Sequence, residues 1–233
     1  MQFRIDPAIL TRFPETKLTV LLCTSMANPP SSDTLKASLL AQTEMIRATF
    51  TLESLLADPH IARWRTIYPQ FGAKPRDYRS SIEALGRRCV NGKGLPNISS
   101  LVDSYNLISL KYLLTAGGED LDRIKGDIEL TIATDHEPPT LLLGDHEPQA
   151  PFAGEIIYKD DVSAICRCWN WREADRTKLT PETTRCVLVL EDLSHDWSAL
   201  KTASEELACL IKEHCGGAIK TFFLDRDTPT CSL

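Results

Sequence analysis

The 233-residue chain has ordinary globular composition, 42% hydrophobic and 25% charged, enough to bury a core as one domain over residues 1–233 or as two small ones, and one domain is the default. A formal net charge of -6 and a pI near 5.4 argue against binding polyanions over the whole surface, so DNA is not an expected partner, but they leave room for a local basic patch. No apolar run approaches the roughly 18 residues of a membrane span, and eight cysteines in a chain of this length, with no signal-peptide pattern at its start, read as reduced thiols of a cytosolic (cytoplasmic) protein.

Phe3 to Ile5 and Leu18 to Cys23 read as short strands, the second nearly all apolar and so buried on both faces. After the break at Asn28-Pro29-Pro30, apolar spacing predicts a helix from Asp33 to Ala57, with Asp33 as its cap. Asp58-Pro59 ends it, and Ile61 to Tyr68 forms another, closed by Pro69.

Between Lys74 and Lys93 lie six positive charges, Lys74, Arg76, Arg79, Arg87, Arg88 and Lys93, against Asp77 and Glu83. Ser80 and Glu83 have capping-box spacing, so a helix is expected with Arg87 and Arg88 in its last turn. Two readings stand there: arginines complementing the helix dipole on a solvated face, or a phosphate-binding patch. Asn91-Gly92-Lys93-Gly94 is a flexible turn, because a P-loop needs longer glycine spacing followed by Lys and Ser or Thr.

The stretch Leu95 to Leu130 holds the densest set of signals. Ser100 is positioned to cap a helix whose third residue is Asp103 and which carries Leu101, Val102, Tyr105, Ile108, Leu110 and Leu113. Asp103 and Asn106 fall one turn apart, giving a buried helix an unexpectedly polar face. Gly117-Gly118 is read as the stop, with Glu119, Asp120 and Asp122 beside the break and Ile128, Leu130 and Ile132 alternating as a strand.

Asp135 to Pro151 is a surface excursion, and its His136 and His146 read as solvated. Glu155 to Lys159 and Ser163 to Trp171 form a predicted hairpin turning at Asp160-Asp161. Strict alternation puts Ile165, Arg167, Trp169 and Trp171 on one face, either a packed core edge or a platform for a flat ligand. Cys186 to Leu190 is a buried strand, a helix starts at Ser194 or Asp196 and stops at Gly216-Gly217, Ala218 to Leu224 is a last strand, and the tail from Asp225 is expected to fray. Strands flanking helices without regular alternation indicate a mixed α+β fold.

Metal and nucleophile chemistry find little support. Cys166 and Cys168 are two apart with no second close pair, and Cys209, His214 and Cys215 sit at the last helix, so no metal and no cofactor are expected. There is no G-x-S-x-G elbow, and His60, His136, His146, His195 and His214 lie mostly in surface segments. What remains is a polar set, Asp103, Asn106, Asp120, Glu155, Asn170, Arg172 and Glu173. Converging, it would hold an ammonium, place a water and orient a carbonyl or phosphate; dispersed, it would cap helices and pair at the surface.

The runs SSLVDSYNLISLKYLL and GGEDLDRIKGDIEL, with GEIIYKDD, CRCWNWREADRTKLTPET and VLVLED, resemble the B3/B4 domain of the β subunit of bacterial phenylalanyl-tRNA synthetase, and more closely the free-standing proteins built from that domain. The best-matching core is residues 71–192, and its most specific pieces are Leu101-Val102-Asp103 with Asn106 and the tract Trp169 to Glu173 leading to Thr183. The resemblance implies a three-layer α+β fold containing a β-sandwich of unusual topology, and an RNA-binding protein whose partner is tRNA or aminoacyl-tRNA and which hydrolyses a mischarged amino acid in trans. The alternatives are a non-catalytic RNA- or amino-acid-binding module and a small-molecule enzyme reusing the pocket. Under the first reading Glu173 and Asn106 are catalytic, Asp103, Asp120, Glu155, Trp169, Asn170 and Arg172 bind substrate, and Arg76, Arg79, Arg87, Arg88 and Lys93 hold RNA. The chain also departs from the synthetase pattern. A Gly-Gln-Pro-x-His run follows the matching helix there, whereas Gly117-Gly118-Glu119-Asp120 stands here, and Trp and Arg replace the glycine pair before the editing glutamate, which Glu173 matches within one residue.

Overall fold

In the computed structural model, which describes residues 1–233, strand alternation decides the layering. Strand β2 (Lys17–Thr24) sends Leu18 and Val20 to one side and Leu21 and Cys23 to the other. Its neighbour β8 (Arg185–Asp192) divides Val187 from Cys186, Leu188 and Leu190 in the same way. With β3 (Thr115–Asp120) and β9 (Ala218–Leu224) they make an antiparallel sheet in the order β3-β8-β2-β9.

On one side this sheet is covered by α6 (Ser100–Tyr112) through Leu101, Val102, Tyr105 and Ile108, and by α7 (Ser198–His214) through Leu200, Ala203, Leu207 and Ile211. Each Leu, Ile or Val among them, fully buried, contributes about 1.5–3 kcal/mol. On the other side Leu18, Val20 and Val187 meet Phe3, Ile5, Ile128, Leu130, Ile156, Tyr158 and Ile165 of a second sheet. That sheet joins β10 (Thr230–Ser232), β1 (Gln2–Ile5), β4 (Ile128–Ile132), β5 (Ile156–Lys159), β6 (Ala164–Arg167) and β7 (Arg172–Glu173) in this order. Its β1 and β4 run parallel and the other neighbours antiparallel. The fold is thus α+β, a helix layer over two facing sheets. No helix is long and apolar enough to cross a membrane.

The remaining helices, α1 (Pro7–Arg12), α2 (Asp33–Thr49), α3 (Leu52–Ala57), α4 (Pro59–Ile67) and α5 (Ser81–Val90), contribute Ile9, Leu35, Leu39, Leu55, Ile61, Trp64 and Ile82 to the core between the sheets.

Several sequence expectations are corrected. The predicted helix over Asp33 to Ala57 is two, because Thr51 and Ser54 form a reciprocal capping box that restarts the chain after Phe50. Ser32, not Asp33, caps α2, and Ser99, not Ser100, caps α6 by accepting the Val102 N–H. Gly117-Gly118 does not stop α6. Leu113 does so in a left-handed conformation (φ 54°), and both glycines lie within β3. The predicted strand through Trp171 ends at Arg167, since Cys168 and Trp169 have φ of 46° and 66° and turn the chain back so that β7 pairs with β6. The tail does not fray, because β10 pairs along β1, Gln2 opposite Ser232.

Candidate functional site

The two sheets do not close on each other everywhere. A cleft of about 300 Å³ opens between β3 and β8 on one side and β6 and β7 on the other, with α5 at its mouth and Tyr105 and Asn106 of α6 along one wall. Its floor comes from one face of the four-stranded sheet. Alternation sends Gly117 and Glu119 of β3, and Val187, Val189 and Glu191 of β8, to that face, and all five line the cleft.

Glu173 reaches the floor from the opposite sheet, placed there by the Cys168-Trp169 turn, which sets it beside Cys166. Its Oε1 accepts the Gly118 N–H at 3.0 Å. Burial lifts its carboxyl from the usual range to about 7, with the Gly118 bond opposing the shift. Asn106, buried on α6, lines the cleft beside Tyr105.

Glu191 is the organiser of the inner end. Its carboxylate accepts from Tyr158 Oη, Trp169 Nε1 at 3.0 Å, Asn170 Nδ2 and Thr115 Oγ1 at 3.0 Å. Asn170 Oδ1 in turn accepts the Tyr68 hydroxyl at 2.9 Å. Trp169 packs edge-on against Phe13 and Trp64, with ring centroids 5.3 and 5.1 Å away, so the open choice between core edge and ligand platform resolves into a core residue with one edge on the cleft. Arg172 stands at the rim over Trp171, tied to Asp145 at 2.9 Å and to the Leu143 carbonyl.

The other acids named from the sequence lie away from the cleft, each held as a structural partner. Asp103 accepts from Ser31 Oγ (2.6 Å), Asn97 Nδ2 (3.0 Å) and the Ile98 N–H (3.0 Å), which fastens the chain entering α6. Asp120 accepts from Thr183 Oγ1 (2.7 Å) and the Asp122 N–H (2.9 Å). Glu155 is fully buried against Arg167 and the Cys168 N–H, and so supports the turn that aims Glu173. The polar face of α6 therefore splits, with Asn106 facing the cleft and Asp103 serving the helix entrance.

The basic set divides too. Arg88 lines the mouth, with Nε donating to the Gly94 carbonyl at 3.2 Å. Arg76, Arg79 and Lys93 are exposed. Arg87 is paired at 2.8 Å with the buried Glu83, which also holds Arg65 at 2.7 Å. Ser80 caps α5, but Glu83 faces these two arginines instead of completing the box.

Sequence reasoning missed Glu119 and Glu191. Reading Thr115–Asp120 as a strand would have placed Gly117 and Glu119 on one face, and the alternation of VLVLED would have put Glu191 in line with Val187 and Val189. No group of His, Cys, Asp and Glu side chains has the arrangement of a metal site, and all eight cysteines are free thiols.

A family model described as the B3/4 domain matches residues 63–216, about two-thirds of the chain. The chain belongs to the B3/4 domain family. The match extends beyond the 71–192 core on both sides, so the second half of α4 and all of α7 are part of the B3/4 domain. Among solved structures, an N-terminal fragment of the phenylalanyl-tRNA synthetase β subunit from Pyrococcus horikoshii is similar at 11% identity and a TM-score of 0.46, covering 95% of this chain and 53% of that one. This B3/4 chain thus spans about half the length of that fragment. No curated protein matches it in sequence.

Proposed function

We propose that this B3/4 domain binds the acceptor end of an aminoacyl-tRNA and hydrolyses a wrongly attached amino acid in trans. The observation that carries the proposal is Glu173, a carboxylate poised near pH 7 in a mainly apolar cleft whose mouth is bordered by the basic helix α5. A carboxylate so tuned accepts a proton from water near neutral pH. The water oxygen bonds to the ester carbonyl carbon, the bond to the ribose oxygen breaks, and that oxygen takes up a proton as the tRNA leaves. The ester is already activated, so holding it and placing a water matter more than a strong nucleophile. Asn106 orients the carbonyl or the water, Trp169, Asn170 and Arg172 shape the pocket, and Arg88, with Arg76, Arg79 and Lys93, draws in phosphate. Such hydrolysis by a second pocket is how discrimination beyond binding alone is reached.

A specific observation favours a second reading, a module that binds an amino acid or another small molecule. Of the five basic residues assigned to RNA, only Arg88 lines the cleft, and Arg87 is paired with Glu83, which it shares with Arg65. The two readings separate on a panel of mischarged tRNAs. Release of amino acid by the parent protein, sharply reduced in Glu173→Gln, supports the hydrolase, whereas an unchanged Glu173→Gln rate removes Glu173 from the mechanism. No release, together with RNA binding that ignores salt, leaves the small-molecule module.

A further inference from the structure

Of the four sheet edges, two are closed by the chain itself and a third is short. On the outer side of β3, Ser81 Oγ accepts the Ala116 N–H at 3.4 Å and Glu173 accepts the Gly118 N–H at 3.0 Å. Beyond β7, the Leu143 N–H donates to the Glu173 carbonyl and the Asp175 N–H to the Leu141 carbonyl, so the segment around Leu142 covers that edge. The edge strand β10 is three residues long. The fourth edge belongs to β9, seven residues of sequence AIKTFFL, with no proline, no glycine and no shift of register against β2. Natural sheets blunt long edges with such interruptions, because an open edge is a template for another strand.

Hydrogen-bond alternation decides which groups of β9 face outward. The Leu121 N–H donates to the Arg185 carbonyl at 3.1 Å, so Arg185 and every second residue after it bond toward β3, while Cys186, Leu188 and Leu190 bond toward β2. Carried across β2 by its register, this turns Ala218, Lys220, Phe222 and Leu224 toward β2. The N–H and C=O groups of Ile219, Thr221 and Phe223 are left pointing away from the sheet. None of them finds a partner elsewhere in the chain. The open stretch has definite ends, since the Gly217 carbonyl accepts Lys212 Nζ and the Asp225 N–H donates to the Thr228 carbonyl at 3.2 Å. Its side chains suit a partner strand, with Ile219 and Phe222 half-buried and Phe223 36% exposed.

We propose that β9 pairs with β9 of a second copy of this chain, antiparallel about a two-fold axis through Thr221, and so joins two four-stranded sheets into one across a homodimer. Thr221 is both the midpoint of β9 and one of its outward-facing residues. This register therefore overlaps the two strands along their whole length and satisfies every open group, whereas any other two-fold register shortens the overlap. The side-chain pairs agree with it. Ile219 comes opposite the partner's Phe223, and Thr221 opposite the partner's Thr221. Lys220, whose Nζ lies 4.6 Å from the ring centroid of Phe222 in its own strand, comes opposite the partner's Phe222, so no like charges face each other. A two-fold interface uses the same patch on both copies, and the remaining edges are covered or short, so growth stops at two. β9 and β3 are opposite edges of one sheet, so the cleft stays open in the dimer and the inference is independent of what it binds.

Analytical ultracentrifugation of the full chain from about 1 to about 200 µM is expected to show the mass rising with concentration from 26.0 kDa toward twice that value. Amide hydrogen exchange over the same range needs no variant, and peptides covering β9 are expected to exchange at least tenfold more slowly at the high end while β3 is unchanged. Thr221→Pro removes an N–H that the sheet does not use, at a position an edge strand tolerates. Checked for its melting transition, this variant is expected to weaken dimerisation at least tenfold. Thr221→Cys, in a Cys209→Ser background because Cys209 is exposed, sets two thiols across the axis with Cα atoms about 5.5 Å apart. Exchange with oxidised glutathione is expected to link the copies, each link oxidising two thiols and reducing one glutathione disulfide. Thr202→Cys, exposed on α7, is expected not to link. A monomer at every concentration overturns the inference and leaves the edge to a strand of another protein. A dimer that Thr221→Pro leaves within twofold of the parent affinity, or one that fails to cross-link through position 221, overturns it as well.

Discussion

Glu173 fills the side-chain place of Gly117, its Oε1 lying 2.8 Å from where a Cβ on residue 117 would be, and it accepts the N–H of the next residue, Gly118. The glycine is therefore required by a carboxylate from the opposite sheet and not by a turn. Gly117→Ala leaves the fold intact, because the group it meets is the free end of a side chain, but it displaces the carboxylate from its single backbone donor. The expected outcome is a melting temperature within a few degrees of the parent, with deacylation or ligand binding reduced at least tenfold. A variant as active as the parent would show that the seat of Glu173 does not matter.

Gly118, the adjacent residue, behaves oppositely. Its added Cβ would overlap Leu188 Cδ2 and stand 3.1 Å from the Val187 carbonyl oxygen, inside the packed middle sheet. Gly118→Ala is expected to cost about 1–3 kcal/mol by overpacking. Urea unfolding of the two alanine variants side by side checks the contrast.

Proton linkage at Glu173 has a definite sign. Its carboxyl is raised to about 7 by burial, against an ordinary value of 4.5. Between those values the folded chain keeps a proton that the unfolded chain has released, so stability falls as pH rises across that window and levels off above it. As a base Glu173 needs the proton gone, so deacylation is expected to rise with pH through about 7, where the stability linked to its proton has been lost. Glu173→Gln should lessen the fall in stability between pH 5 and pH 8, to which the raised carboxyls of Glu119 and Glu191 also contribute, and stabilise the fold at pH 8 by roughly 1–3 kcal/mol. Denaturation at pH 5 and pH 8 for parent and variant measures this, and an unchanged difference between the two pH values would contradict it.

The sequence reveals the elements that depend on local pattern. The apolar runs Leu18 to Cys23 and Cys186 to Leu190, read as buried strands, the Ser80 cap and the Gly216-Gly217 stop all recur in the structure. What escapes it is what a partner strand decides. Gly117-Gly118 has the composition of a helix stop, and only the antiparallel pairing with Val189 and Leu188 makes it strand. The left-handed Cys168 and Trp169, neither of them a glycine, hide the reversal that turns one predicted strand into two and carries Glu173 to the floor. In the sequence, Asp103 and Glu155 have the look of acids suited to chemistry. A count of the donors around each, Ser31, Asn97 and Ile98 for one and Arg167, Cys168 and Phe152 for the other, marks them as structural, and no linear pattern contains that count.

Glu155 and Arg167 make a buried ion pair, 0% and 4% exposed at the side chain, with further bonds from the Cys168 and Phe152 N–H groups to the carboxylate. Removing one partner strands a charge in the interior. Glu155→Ala is expected to cost about 3–5 kcal/mol, whereas Glu155→Leu combined with Arg167→Met recovers much of that loss. Equilibrium unfolding of the single and double variants gives the numbers. A single variant with unchanged stability and weakened ligand binding would return Glu155 to the substrate site.

Arg87 and Arg88 are adjacent in sequence and differ in what surrounds them, which makes them a controlled test of the basic patch. Arg88 is exposed at the cleft mouth, its only polar contact a carbonyl, and its charge is free for phosphate. Arg87 lies against Glu83, which is 1% exposed at the side chain and divides its charge between Arg87 and Arg65. Arg88→Ala is therefore expected to leave stability unchanged and to lower the slope of log affinity for tRNA against log salt by about 1, the signature of one lost phosphate contact. Arg87→Ala is expected to destabilise by about 1–2 kcal/mol, because the buried carboxylate loses one of two charged donors, with little change in that slope. Fluorescence anisotropy with a labelled tRNA between 50 and 300 mM salt, paired with urea melts, reads both quantities. A slope that falls for Arg87→Ala and stays level for Arg88→Ala would move the phosphate path away from the cleft mouth.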